Sequence, residues 1–362
     1  MRKWRVALSI VMVAAILGGC GFKDLDKRFF VVAIGIDKGE AKKLRVTIKL
    51  AIPSPNIKPG DESFQLITEE GNTISEAVRL MKSDVDKELD FGHLKMILLG
   101  KEIAGSSLIE ITDWFVRRRD IQQVSYVAIA DPTASEIIKI APKSERLPGN
   151  ALFLSFGREG TESSYIVTAY LFDLFRRLKE TGKDPYLPII KPKKETYEIN
   201  QVAVYNKNEE KVVLSPNETR IFNQLVRKNS RFEIRVNRST PSFTLSVQDL
   251  KLKYTISTPP NKRPSVNLNV NIRGVAEEAG GDLYDKEWSR LEKAAAKIVE
   301  ESMTEVLKKL QKHDVDPVGF GLRYIATRHH GQKDWEDWKK LYPDIVFNVK
   351  AKVNMEGTGL IK

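Results

Sequence analysis

The sequence of 362 residues contains a single cysteine, Cys20. A lone thiol cannot form an internal disulfide, which excludes the disulfide-stapled class of exported domains. The sequence also lacks a run of about 20 apolar residues, the length that a helix needs to cross a bilayer. Apolar residues make up 41% of the chain and charged residues 30%. This balance indicates a folded globular body rather than a disordered or membrane-embedded chain.

Sequence patterns of the common enzyme classes are also missing. The chain has no Gly-x-x-x-x-Gly-Lys phosphate loop, no Gly-x-Ser-x-Gly nucleophile turn and no His-Glu-x-x-His metal pair. Only four histidines are present. We therefore predict no catalytic, cofactor-binding or metal-binding residues, no cofactor and no small-molecule ligand, and we interpret the chain as a non-enzyme.

Each histidine has a structural interpretation. Adjacent side chains on a helix point about 100° apart, so His329 and His330 indicate a surface pair rather than a joint metal site. His313 lies close to acidic residues in the sequence, so a metal-binding loop is one interpretation. Asp316-Pro317 is typical of helix capping, however, and the calcium-loop pattern is missing. His93 is expected at the edge of a strand.

Two other clusters of side chains could bind a ligand. Trp335 and Trp338 are three residues apart and share one helical face, which favours packing over a ligand stack. Arg117, Arg118 and Arg119 close a predicted helix, where cations suit the negative end of the helix dipole. An anion site at these arginines is the alternative.

The first twenty residues have the layout of an export signal. Basic residues begin the chain, at Arg2, Lys3 and Arg5, and an apolar run follows over Val6–Leu17. Leu17-Gly18-Gly19-Cys20 then resembles a bacterial lipobox, in which the cysteine is lipidated and the preceding peptide removed. We therefore predict a lipoprotein signal peptide over residues 1–19, a lipidated Cys20 and a tether over residues 20–28. The alternatives are an uncleaved anchor and a signal cut at another small residue.

A diacylglyceryl group on Cys20 would hold the protein firmly on a membrane, because two acyl chains give a stable anchor and one does not. We therefore expect a membrane partner and an extracytoplasmic location. The net charge of +11 is favourable beside an anionic leaflet. The basic residues are dispersed and not interleaved with aromatics, which argues against nucleic acid as a partner.

Strands and helices alternate through the first half of the chain. The apolar run Phe29–Ile36 predicts a buried strand. The spacing of apolar residues predicts amphipathic helices over Thr73–Leu89 and Ser164–Lys179. Asp131-Pro132 is interpreted as the start of another helix, and residues 181–194, rich in glycine, proline and lysine, as a linker.

Strands dominate the second half, with the longest predicted helix over Asp285–Lys312 and a closing strand over Ile345–Met355. The fold class expected is α+β or mixed α/β, multi-domain, with mixed β-sheets each flanked by helices. We predict an N-terminal α/β domain over residues 29–190, a middle strand-rich domain over residues 196–262 and a C-terminal α/β domain with the long helix over residues 263–362.

Three motifs together resemble one family. The lipobox is followed by Phe30–Asp37, a start similar to that of the Ger(x)C lipoproteins, the C subunits of spore germinant receptors. Phe91–Gly100 (FGHLKMILLG) is similar to the central motif of that family's N-terminal domain. Leu310–Gly321 (LQKHDVDPVGFG) followed by Trp335–Trp338 (WEDW) resembles the family's most distinctive signature. Family members often carry Cys-Trp-Asp at the mature start, and here Cys20 is followed by Gly21.

The resemblance implies a lipid-anchored subunit on the outer face of the inner spore membrane or cell membrane, assembled with a membrane-spanning A subunit and a permease-like B subunit. It also implies α/β domains around mixed sheets and no catalytic residues. Two segments, Phe91–Gly100 and Gly319–Trp338, are candidate partner contacts, and completion of the domain cores is their alternative role. A solute-binding lipoprotein that serves a transporter is the second hypothesis, and an extracytoplasmic hydrolase is the third.

Overall fold

The computed structural model describes residue 4 and residues 27–51, 64–105, 108–142, 149–157, 163–207, 209–227, 231–237, 242–279, 288–328 and 330–357. Within these ranges the chain forms two mixed β-sheets, each flanked by helices. The α+β fold class expected from the sequence is confirmed.

Thirteen strands are described. They are β1 Arg28–Lys38, β2 Leu44–Ala51, β3 Phe64–Gly71, β4 Glu88–Asp90, β5 Met96–Gly100, β6 Tyr126–Ala130, β7 Tyr186–Lys193, β8 Thr196–Tyr205, β9 Glu210–Leu214, β10 Phe232–Val236, β11 Phe243–Ser257, β12 Ser265–Ala279 and β13 Val346–Met355.

Ten α-helices are described. They are α1 Ile74–Met81, α2 Lys101–Ala104, α3 Leu108–Arg117, α4 Ala134–Lys139, α5 Asn150–Leu154, α6 Leu171–Lys179, α7 Pro216–Arg227, α8 Trp288–Lys312, α9 Phe320–Ala326 and α10 Gln332–Leu341.

The larger sheet has the strand order β3-β2-β1-β5-β6-β7-β8-β9, and β4 pairs with the start of β1. The pairs β1–β5, β5–β6 and β6–β7 are parallel, whereas the two outer pairs on each side are antiparallel. Helices cover both faces. Tyr126, Ala128 and Ala130 of β6 pack with residues of α4 and α5, while Val127 and Ile129 belong to the cluster that includes α1, α3 and α6. This alternation is the two-residue period of a strand buried on both faces.

The smaller sheet has the order β10-β11-β12-β13, and its last pair is parallel. Helix α8 packs along β13 and contacts β10 and α7. Its buried stripe includes Leu291, Ala295, Val299, Met303 and Val306, at three- and four-residue spacings. The apolar side chains under α8 join the main core of the larger sheet into one continuous cluster.

Three local predictions are corrected by the structure. Helix α1 ends at Met81 rather than at Leu89, because Ser83 turns back to bond the Leu80 carbonyl and Leu89 pairs with β1 in β4. Helix α4 is capped by Thr133, whose hydroxyl accepts from Glu136 N–H, and not by Asp131. Helix α6 begins at Leu171 rather than at Ser164.

The predicted linker over residues 181–194 is also wrong, since it contains β7 of the larger sheet. Strand β7 pairs with β8 from Tyr186↔Val204 to Lys193↔Thr196, so the sheet continues past residue 190. The division of the chain into domains over 29–190, 196–262 and 263–362 stays a prediction.

Candidate functional site

The C-terminal signature segment meets the larger sheet at a buried polar contact. The loop of residues 313–319, which connects α8 to α9, packs against the turn of residues 180–185, which connects α6 to β7. Asp184 N–H donates to the Asp316 carbonyl (3.0 Å), and Leu322 N–H donates to the Gly182 carbonyl (2.7 Å). We call the contact between the 180–185 turn and residues 313–322 the junction.

Asp184 and Asp316 are the carboxylates of the junction. Asp184 Oδ2 accepts from Asp316 N–H at 2.7 Å. Asp316 in turn accepts from Gly319 N–H at 2.8 Å and from Gly321 N–H at 2.6 Å. Because Gly321 lies in the first turn of α9, Asp316 satisfies an N–H group that the helix leaves unpaired. Asp316 thus binds the N-terminus of α9 as expected, although the helix begins at Phe320 with Gly319 at the N-cap position and not directly at Asp316-Pro317.

Lys207, in the turn after β8, closes the carboxyl end of α6. Its ammonium donates to the carbonyls of Arg177 (2.6 Å) and Glu180 (2.7 Å) and lies 3.6 Å from Asp184 Oδ1. A cation at this position satisfies helix-end carbonyls and opposes the negative end of the helix dipole. The Lys207 backbone has φ 83°, a left-handed conformation that costs about 1 kcal/mol for a residue with a side chain.

Arg177 bonds the two sides of the junction together and is only 4% exposed. Its Nη1 donates to the carbonyls of Pro317 (2.8 Å) and Asp184 (3.1 Å), while Nε donates to Asp173 Oδ2 at 2.8 Å. The guanidinium also lies 4.4 Å from the centre of the Tyr186 ring. Burial alone would raise the pKa of Asp173, but the charges and hydrogen bonds of Arg177 and Arg176 together outweigh it and the pKa is lowered.

Burial also controls the other ionisable groups of the junction. It raises the pKa of Asp316 to about 7, against the N–H donors of α9. It raises the pKa of Asp184 despite the N–H of Asp316 and the nearby Lys207, and it lowers the pKa of Lys207 itself. Each charge therefore depends on internal partners, and removing one leaves the others with an uncompensated desolvation cost.

Glycines allow the two chains of the junction to approach closely. Gly182 has φ +77°, and a Cβ on it would lie 2.5 Å from Leu322 N. A Cβ on Gly321 would lie 2.6 Å from Trp338 Nε1 and 3.1 Å from Gly182 Cα. The distances of 2.5 and 2.6 Å are shorter than packed atoms tolerate. Close packing thus explains Gly321 of the signature and Gly182 opposite it.

Trp338 is the largest fully buried side chain of the same region, with 2% of its surface exposed. Its ring packs against Tyr324 (centroids 5.1 Å apart) and Tyr342 (5.6 Å), and the half-buried Trp335 packs against the same cluster. The prediction that the two tryptophans pack in a core is confirmed.

The Phe91–Gly100 segment is mostly core. Phe91, Leu94 and all five residues of β5 are buried. His93 is the exposed member of the segment, and its ring packs edge-on against Phe30 (4.5 Å). His93 therefore lies in the turn before β5, which begins at Met96, and not at the edge of a strand as expected.

The remaining candidate residues do not lie together in one site. His313 Nδ1 lies 3.1 Å from the Lys309 carbonyl at the end of α8, and His330 lies beside Asp334 at 3.4 Å. His329 and Cys20 lie outside the described residues. Arg118 pairs with Asp120 and stacks over two aromatic rings. In the described part of the chain, no group of three or more His, Cys, Asp or Glu side chains could hold a metal ion.

A cavity of about 710 Å³ lies between the loop of residues 163–165 and strands β10 and β11. Its lining mixes polar side chains such as Ser163, Ser164, Arg231 and Gln248 with the apolar Phe232 and Val247. The solute-binding hypothesis predicts a mainly apolar cleft with a few converging polar groups, and this mixed lining does not decide for it. Among the described helices, none has both the length and the apolar character needed to span a membrane.

Sequence reasoning missed Arg177, Asp184 and Lys207. Residues 181–194 were interpreted as a linker, and Arg177 and Lys207 resemble ordinary surface cations in the sequence. The available signal was Gly182-Lys183-Asp184-Pro185, a compact turn directly before an apolar run. That signal gives no indication that Asp184 accepts a hydrogen bond from Asp316, 132 residues later in the chain.

Two family models match consecutive parts of the chain. The model described as "Spore germination protein N-terminal domain" matches residues 21–192. The model described as "Spore germination B3/GerAC like, C-terminal" matches residues 200–359 and contains the signature loop of the junction. The chain belongs to the GerAC-like (Ger(x)C) spore germination protein family. The resemblance inferred from the three motifs is confirmed.

Curated members of the family match over nearly the whole chain. Spore germination protein GerQC of Bacillus cereus is 21% identical, covering 99% of each chain. Spore germination protein KC of Bacillus subtilis (strain 168) is 24% identical, covering 99% of this chain and 97% of that protein. The crystal structure of the GerBC protein superimposes with a TM-score of 0.57 at 17% identity, over 88% of this chain and 96% of that one, which supports the fold.

Proposed function

We propose that this chain is the lipid-anchored, non-catalytic C subunit of a spore nutrient-germinant receptor. A diacylglyceryl group on Cys20 holds it on the outer face of the inner spore membrane, where it assembles with the A and B subunits and helps to trigger germination. The observation that carries this proposal is the consecutive match of both family models, over residues 21–192 and 200–359. The names of GerQC and KC as spore germination proteins support the role.

The chemistry of the junction supports a structural rather than a catalytic role. Arg177, Asp184, Lys207 and Asp316 bond to one another's main chain and side chains across the two halves of the molecule. The hydrogen bonds and ion pairs of these side chains hold the two halves in a fixed relative position. The Ger(x)C signature Leu310–Gly321 is explained as the device that fixes the C-terminal part against the larger sheet.

A subunit of this kind couples its partners only if it contacts two states of the complex differently. The buried members of Phe91–Gly100 and Gly319–Trp338 complete the cores, so the proposed contacts are confined to exposed members. In the first segment this is His93. In the second, exposed residues include Arg323, Ala326, Gly331 and the first two residues of α10, Gln332 and Lys333.

Deletion of the gene tests the proposal in spores that retain no other member of this family. We expect such spores to lose their response to at least one nutrient in a panel, and expression of the intact chain to restore it. Expression of Cys20→Ala should not restore it, because no acyl chain can then be attached. Germination by a trigger that bypasses the receptors serves as the control. A normal response of the deletion spores to every nutrient that the complemented spores use would contradict the proposal.

A further inference from the structure

The parallel strands of the larger sheet place several exposed features at one edge. Because β1, β5 and β6 run parallel, the chain enters all three at the same edge of the sheet. The segments before these strands therefore lie together there: residues 27–30, residues 91–95 and residues 117–125. We call this surface the amino edge. The opposite edge, where α2 begins directly after β5, is about 17 Å away along the five-residue strands β5 and β6, and about 35 Å from the start of the 11-residue strand β1.

Two large apolar side chains are exposed at the amino edge. Val124 is 58% exposed and Phe172, in the first turn of α6, is 46% exposed. Phe172 N–H donates to the Gln123 carbonyl (3.0 Å) and Leu171 N–H to the Ser125 carbonyl (2.9 Å). These two bonds hold the backbone of residues 123–125 against the start of α6. The exposed Val124 and Phe172 therefore lie at the same place on the surface, and we refer to them as the apolar patch.

The patch is supported by a row of aromatic rings. Phe172 stacks on Tyr170 with ring centroids 5.7 Å apart, and Tyr170 stacks on the buried Tyr126 at 5.0 Å. Arg227 lies 5.6 Å from the Tyr170 ring. The exposed ring therefore rests on a rigid column that continues into the core, which fixes its position at the surface.

Polar contacts connect the patch to the start of β1. Gln122 Nε2 donates to the Gly92 carbonyl (2.7 Å), and Lys95 Nζ donates to Gln122 Oε1 (2.8 Å). His93, next to Gly92, packs on Phe30. Basic side chains outnumber acidic ones in the three segments that form this edge: the basic residues are Lys27, Arg28, Lys95, Arg117, Arg118 and Arg119, and the acidic one is Asp120. Three of the arginines are ion-paired, Arg28 with Asp90, Arg117 with Asp113 and Arg118 with Asp120.

The chain reaches this edge from the proposed lipid anchor. Cys20 precedes Lys27 by seven residues, which span at most about 25 Å when fully extended. A bilayer that holds the acyl chains of Cys20 thus lies within reach of the amino edge and is farther from the opposite edge. An apolar patch with aromatic rings and surrounding cations has the composition that favours the headgroup region of an anionic leaflet.

We propose that the amino edge lies on the membrane surface, with Val124 and Phe172 in the headgroup region and the basic side chains facing anionic lipid phosphates. This inference rests on the proposed anchor at Cys20. It gives the subunit one orientation, in which the strands of the larger sheet point away from the bilayer. The exposed His93 of the family motif then faces the membrane side.

The test uses the full lipidated chain in vesicles of phosphatidylglycerol and phosphatidylethanolamine. Val124→Cys and Phe172→Cys each provide a single new thiol for an environment-sensitive fluorophore, because Cys20 is blocked by its acyl group. Glu102→Cys, exposed in α2 at the opposite edge, is the matched control. We expect headgroup-region quencher lipids to reduce the emission at positions 124 and 172 about twofold and to leave position 102 unchanged. In phosphatidylcholine vesicles the quenching should weaken, since the basic side chains lose their anionic partners.

The outcomes separate this inference from the proposed function. A chain that floats with the vesicles but shows equal, weak quenching at all three positions keeps its anchor and overturns the orientation. A chain without an acyl group that does not float overturns the anchor and the orientation together. Quenching at position 102 alone would show that the opposite edge faces the bilayer.

Discussion

Replacing Gly182 by alanine should destabilise the protein by about 3–5 kcal/mol, one of the two largest effects that the structure predicts. The new Cβ would lie 2.5 Å from Leu322 N and 2.6 Å from Gly321 C, which are backbone atoms and cannot rotate away. The left-handed φ of +77° adds conformational strain. Urea unfolding of the purified chain measures the loss as a shift of the transition midpoint.

Gly331→Ala is the matched control for this substitution. Gly331 also has a positive φ, +57°, but a Cβ on it would meet no atom within 4 Å. Its cost should be about 1–2 kcal/mol, from backbone strain alone. Equal effects of the two substitutions would show that conformation, not close approach at the junction, explains the glycine of the 180–185 turn.

Replacing Arg177 by alanine should cost a similar amount, about 3–5 kcal/mol, because it removes one partner of a buried ion pair. The carboxylate of Asp173 would lose Arg177, the stronger of the two cations that lower its pKa. The carbonyls of Pro317 and Asp184 would lose their donor across the junction. We therefore expect lower stability and weaker attachment of the C-terminal part, seen as earlier unfolding in urea and faster proteolysis near residue 313.

The neighbouring Arg176 supplies the control for charge. It pairs with the same Asp173 at 2.6 Å, but its side chain is 52% exposed. Exposed ion pairs contribute little, so Arg176→Ala should cost less than about 1 kcal/mol. Arg177→Lys keeps the charge but cannot reproduce the forked contacts, and an intermediate loss is expected. If both alanine variants were equally stable, the buried contacts of Arg177 would not hold the junction.

Local patterns were enough to predict much of this fold. Each of these patterns depends only on the residues of one strand or helix. They are the apolar run at Phe29–Ile36, the apolar stripe of α8 and the alternation in the closing strand. The capping role of Asp316 was also predictable, since its N–H partners lie within five residues. The family motifs indicated the segments whose residues pack in the core and at the junction.

Contacts between distant segments could not be predicted in the same way. Asp37 caps α4 by accepting from Ala134 N–H and Ser135 N–H, 97 and 98 residues later in the chain. In the sequence it indicates only a turn. The glycine, prolines and lysines of residues 181–194 predict a linker, but the segment contains β7, which pairs with β6 only at Ile189 and Ile190. The prolines flank this short contact, so the sheet loses few hydrogen bonds.

The most direct test of the account is the mass of the mature N-terminus, isolated from spore membranes. We predict that the protein begins at Cys20 and that this residue carries a diacylglyceryl group. A bare thiol at Cys20, or a cytosolic chain that retains residues 1–19, would contradict the proposal of a lipid-anchored receptor subunit.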